Sequence, residues 1–185
     1  MLLTVRHFSF ATAPIEGALY TRPKSLANNL PPPLIYLIMT TETLFTIFNT
    51  GVLLPWLLLL VAPKWAFTQQ MIQTKWPIII LAIAYLSLLV IDFFTATNNS
   101  IDFTSFDSIR AAFAREEVML IGWIHYLAFD LFVGMWELKD GQTRQIPHYW
   151  MAPCLIFTLM YGPVGFLLYF ILKQFYPYPA TKTAV

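Results

Sequence analysis

The sequence predicts an all-α fold, an integral membrane four-helix bundle. Three observations predict it. Of 185 residues, 58% are hydrophobic and only 11% are charged, where a soluble domain carries about 25% charged residues. So few charges cannot cover a water-facing surface. Four apolar segments of about 18–23 residues follow one another, each long enough to cross a hydrocarbon core of roughly 30 Å. The strict alternation of transmembrane barrel strands is absent, and a helix satisfies its own backbone groups in lipid.

The elements follow in order. The first apolar segment is Leu44–Val61, interrupted by Asn49 and Thr50-Gly51. The second is Pro77–Phe94 and the third is Val118–Trp136. The fourth is Trp150–Leu172, weakened by Pro153, Gly162, Pro163 and Gly165. Small residues let helices approach closely, and proline frees a carbonyl. Each segment is expected to be a helix. The connections are polar and short: Ala62–Trp76 holds Lys64 and Lys75, and Glu137–Tyr149 holds Lys139, Asp140, Arg144 and His148. The stretch Thr95–Glu117 is longer. Asp107 or Ser108 is expected to cap a helix starting near Ile109, with Ile109, Ala112 and Phe113 on one face. No internal repeat is present.

Residues 1–38 read as an irregular extension ending in Pro31-Pro32-Pro33. They lack the charge, apolar run and cleavage site of a signal peptide. Translation is expected to begin at Met39, which leads straight into the first apolar segment. The expected organisation is therefore extension 1–38, membrane domain 39–175 and tail 176–185. The net charge of +1 gives no sign of nucleic-acid binding. Cys154 is the single cysteine and forms no internal disulfide. As four spans, the two sides of the membrane receive four Lys/Arg each from Met39 onward, and only the extension tips orientation towards cytoplasmic termini.

The third segment carries the candidate chemistry. An ionisable group at the centre of a membrane helix costs about 2.5–3.5 kcal/mol on insertion scales, so it is expected to face protein, a partner or water. His125 and Asp130 both lie there. Five residues apart, they point about 140° from each other on a helix. Asp130 shares a face with Trp123, Gly134 and Glu137. Asp92, near the end of the second segment, is a candidate partner for His125 or for an Arg of the long loop. One reading is a polar pocket lined by Asp92, His125 and Asp130. The other is structural: groups that hydrogen-bond across helices and do no chemistry. Glu137 sits at the segment boundary, where a solvated end is expected. Three histidines are too few for membrane di-iron chemistry, and no phosphate loop, nucleophile elbow or zinc-protease motif occurs. No metal or cofactor is expected.

The run Gly122-Trp-Ile-His-Tyr-Leu-Ala-Phe-Asp-Leu-Phe-Val-Gly134 is long and specific. With Met39-Thr-Thr-Glu-Thr-Leu-Phe before Leu54-Pro55-Trp56, and with Gly162-Pro-Val-Gly-Phe-Leu-Leu-Tyr169, it resembles the abscisic-acid-deficient-four-like family. These are small four-span membrane proteins of plants, algae and cyanobacteria. The resemblance covers roughly Met39–Lys173. It implies a role in xanthophyll metabolism, where plant members are required to make neoxanthin. The implied reaction is an isomerisation: the 5,6-epoxide of violaxanthin opens and an allene forms. Such a step needs an acid on the epoxide oxygen and a base for a ring-adjacent proton. Carried onto this chain, Asp130 would be the acid and His125 the base, with Asp92, Trp123, Gly134 and Glu137 around the substrate. The implied partners are carotenoid and membrane lipid. Without a long transit peptide the expected place is a cyanobacterial thylakoid or plasma membrane, or a plastid membrane if the chain comes from an alga or plant. Two classes stay open: a cofactor-free isomerase, which needs the polar groups to converge on a cavity, and a non-catalytic carotenoid-binding or assembly protein, which does not.

Overall fold

The computed structural model describes residues 40–96 and 101–179. The expected extension 1–38 and the last six residues of the expected tail lie outside them. Helix α1 (Thr41–Gly51) starts where the Thr40 hydroxyl accepts the Thr43 N–H. Helix α2 (Leu53–Val61) continues it after one irregular residue, Val52. Pro55 accounts for the irregularity, because it has no N–H to offer the Gly51 carbonyl. Together they form one apolar rod, Thr41–Val61.

The next connection differs from the expected plain linker. It contains α3 (Ala66–Thr74), with Thr68, Met71 and Ile72 buried at i, i+3 and i+4. Lys75 ends it in the left-handed conformation, φ 55°, and turns the chain into α4 (Trp76–Thr95), where Pro77 occupies the first turn. Helix α5 (Phe106–Phe113) begins three residues before the expected start. Ser105 caps it by accepting the Ser108 N–H, while Asp107 falls inside the first turn and pairs with Arg110. Helix α6 (Glu116–Thr143) has 28 residues and is therefore about 42 Å long.

The fourth apolar segment is not one continuous helix. It is α7 (His148–Tyr161) and α8 (Pro163–Leu172), separated by Gly162 at φ 40°, ψ −88°. Contacts show that the two lie antiparallel. A Cβ on Gly165 would overlap the backbone of Thr158, seven residues earlier. Tyr169 packs in one cluster with Cys154, Met151 and Ile146. Beyond α8, a 3-10 turn (Lys173–Phe175) brings the Tyr176 carbonyl back to Arg144, which donates to it at 3.1 Å. Gly162 allows the sharp turn because it has no Cβ to oppose a positive φ. Gly165 lets the two backbones meet.

The bundle thus has four members: the α1–α2 rod, α4, α6 and the α7–α8 hairpin. Among the described residues three helices, Thr41–Val61, Trp76–Thr95 and Glu116–Thr143, are long and apolar enough to cross a membrane. Helix α6 is central and packs on every other member. Its inward residues Ile124, Leu131, Met135 and Leu138 close on Trp56, Leu59 and Leu155. Helix α4 is peripheral: of its 20 residues only Pro77 and Leu81 are buried.

Candidate functional site

The polar groups of α6 divide between its neighbours. Two of them, Asp130 and Glu137, meet the hairpin. They are seven residues apart, two helical turns, so they share a face about 10 Å apart along the axis. Asp130 lies against the turn of the hairpin: a Cβ on Gly162 would fall 2.7 Å from Asp130 Oδ1. Tyr126, one turn earlier on α6, interacts with the same carboxyl. Asp130 Oδ2 is buried and has no hydrogen-bond partner among the described residues. The carboxyl also stands at the start of α8, where a helix macrodipole favours negative charge.

Glu137 is fully buried, 0% exposed. This corrects the expected solvated end. Helix α6 runs two turns beyond the apolar segment, and the hairpin covers that extension. The Thr158 hydroxyl lies 3.0 and 2.9 Å from the two Glu137 carboxyl oxygens and 3.0 Å from the Cys154 carbonyl. One hydroxyl proton serves one of these acceptors at a time. Below this pair, Asp140 accepts from Tyr169, Tyr178 and Arg144 at the end of α6.

The other expected site residues lie elsewhere. His125 is exposed on the α4 flank of α6. It stacks on Phe129 at 4.5 Å and tilts against Tyr85 at 5.6 Å. Asp92 pairs with Arg115, the loop-arginine alternative, not with His125. Arg115 precedes Asp130 by 15 residues, so that pair stands roughly 22 Å away along α6. The expected pocket lined by Asp92, His125 and Asp130 is therefore not formed. Asp92 stands on α4, and His125 and Asp130 point to different faces of α6. Trp123 and Gly134 turn towards the α1–α2 rod. Trp123 donates to Asn49 Oδ1 at 3.2 Å, and Gly134 is buried against the Trp56 ring. The face shared by Trp123, Asp130, Gly134 and Glu137 is real, but two different neighbours cover it.

A cavity of about 480 Å³ opens at the far end of α6, bounded by Lys64, Gln69, Gln142, Gln145 and His148. Gln69 and Gln142 both donate to the Pro63 carbonyl there, and His148 bonds the Leu60 carbonyl. The cavity's lining on α6 runs from Leu138 to Gln142, 8 to 12 residues or about 12–18 Å beyond Asp130, so this cavity belongs to the bundle end and not to Asp130. Sequence reasoning missed Tyr126, Thr158, Tyr169 and Asp140. Tyr126 had a signal, its i−4 spacing from Asp130. Thr158 had none, because the fold-back alone brings it to α6.

With this geometry in place, comparison with known proteins becomes informative. Residues 43–169 match the family described as ABA DEFICIENT 4-like. The chain is similar to Protein ABA DEFICIENT 4, chloroplastic, of Arabidopsis thaliana, with 30% identity over 138 residues. That alignment covers 71% of this chain and 61% of the relative, so the chain spans less than two thirds of that protein's length. No solved structure matches.

Proposed function

The chain belongs to the ABA DEFICIENT 4-like family, and from that premise we propose that it acts in xanthophyll metabolism within a photosynthetic membrane. In this reading Asp130 is the acid that meets a carotenoid end-group. One observation carries it: a carboxyl oxygen buried near the middle of a membrane helix, without a hydrogen-bond partner among the described residues, beside the turn of a broken helix pair. Membrane proteins keep such groups where a ligand or a proton must be met. The reaction class is epoxide opening to an allene, which needs proton donation to the epoxide oxygen.

His125 leaves this role. Its place on the opposite flank separates it from Asp130, so it does not supply the base to the same ring end. Tyr126, which interacts with the Asp130 carboxyl, and Glu137, which shares its hairpin-covered face, replace His125, Asp92, Trp123 and Gly134 as its surroundings.

The test is Asp130→Asn in a heterologous strain supplied with violaxanthin. Product should vanish while the protein stays in the membrane at unchanged level. Unaltered pigment conversion would remove the acid role. A second reading, a non-catalytic carotenoid-binding protein, is favoured by a specific observation: the polar groups do not converge, and the cavity begins about 12 Å along α6 from Asp130. Pigment that co-purifies with Asp130→Asn and wild type alike, with no conversion by either, would select it.

A further inference from the structure

The two ends of the bundle carry opposite charge, and the hairpin is the reason. Because α8 returns to where α7 began, Lys173 lies at the same end as Lys64, Lys75, Lys139 and Arg144. Among the described residues that end has these five cations and two acids, Asp140, bonded to Arg144, and Glu137, sealed onto Thr158. The opposite end has two cations, Arg110 and Arg115, with six acids: Glu42, Asp92, Asp102, Asp107, Glu116 and Glu117. The four-span reading balanced the cations evenly. Folding the last segment back separates those among the described residues five to two; Lys182, part of the even balance, lies outside them. Arg6, Arg22 and Lys24 lie outside the described residues and outside this count.

The basic end is also built as an interface. Lys64, Lys75 and Lys139 are exposed. The Lys173 ammonium stands 3.8 Å from the Phe170 ring centre and 5.3 Å from that of Trp136. An ammonium over aromatic rings at the edge of an apolar span is the composition of a headgroup-level anchor. The hairpin itself is too short to cross. Its helices have 14 and 10 residues, about 21 and 15 Å, against roughly 30 Å of hydrocarbon. A non-helical turn at membrane depth is tolerated when protein covers it, and Gly162 is buried.

We infer that the basic end docks on the anionic lipid headgroups of the leaflet facing the compartment of synthesis, and that α7–α8 is a re-entrant hairpin entering from that leaflet. Three helices cross. Thr40 and Pro179 then lie on opposite faces of the membrane. This inference does not depend on the proposed reaction.

Single cysteines on a Cys154→Ser background test it in the full chain, expressed in a bacterial inner membrane. Thr104→Cys marks the acidic end and Gln174→Cys the basic end, both at exposed positions. An impermeant maleimide should label Gln174→Cys about tenfold more in inside-out vesicles, and Thr104→Cys about tenfold more in right-side-out vesicles. Labelling of both from one side would overturn the three-crossing topology. A clean exchange of sides would overturn the orientation. The combined change Lys64→Gln, Lys75→Gln, Lys139→Gln and Lys173→Gln should then erode each preference to about threefold or less, in protein that still resists carbonate extraction. An undiminished preference would overturn the headgroup attraction as its cause.

Discussion

The two flanks of α6 hold polar groups in opposite ways. On the hairpin flank, Gly162 lies against the Asp130 carboxyl, Gly165 lets the two hairpin backbones meet, and Glu137 is sealed onto Thr158. On the α4 flank, His125 packs its ring against Tyr85 and Phe129 and stays exposed. The same helix therefore carries one flank where a polar group is specified by tertiary structure and one where it is not. The difference teaches that depth in the membrane does not by itself define a site. What defines it is the neighbour that closes over the group.

The contrast can be broken most severely at Gly165. Gly165→Leu puts a side chain into the Thr158 backbone and should destabilise the protein by about 3 kcal/mol or more. Thermal unfolding in detergent would measure it. A stability equal to wild type would mean that the hairpin does not pack as described. Thr158→Val is the next test. It leaves Glu137 buried without its hydroxyl and should cost about 2 kcal/mol. Pairing it with Glu137→Met should recover most of that loss, since removing both partners of a buried polar contact approaches neutrality.

The smallest effect is expected on the other flank. His125→Phe keeps the ring contacts and should change stability by no more than about 0.5 kcal/mol. Pigment conversion should also persist, because His125 does not face Asp130. A loss of conversion with unchanged stability would return His125 to the chemistry and reject the division between flanks.

Much of the fold was legible before any coordinates. The segments Pro77–Phe94 and Val118–Trp136 fall inside α4 and α6, because length and hydropathy suffice to specify a membrane helix. The opposed directions of His125 and Asp130 followed from helical geometry alone. The fourth segment was only half legible. Gly162-Pro163 combines a helix-ending glycine with a proline suited to the first turn of a new helix, a stop and a start in adjacent positions. Periodicity cannot say whether such a pair kinks a helix or reverses it. Glu137 was misjudged for the same reason: its burial comes from the returning hairpin, and no local pattern encodes that. The cap falls on Ser105 and not on the expected Asp107 or Ser108; all three residue types cap well, so type alone does not choose among them.

The claim on which the rest depends is that the last apolar segment folds back and sets its turn against Asp130. Spin labels on Tyr149→Cys and Gln174→Cys, in a Cys154→Ser background, test it directly by double electron–electron resonance. Both positions are exposed. A hairpin places them on adjacent helices whose axes are about 8–10 Å apart, so the label separation should stay below about 25 Å. A single continuous helix would hold them 25 residues apart, about 37 Å, and a distribution centred there would contradict the account.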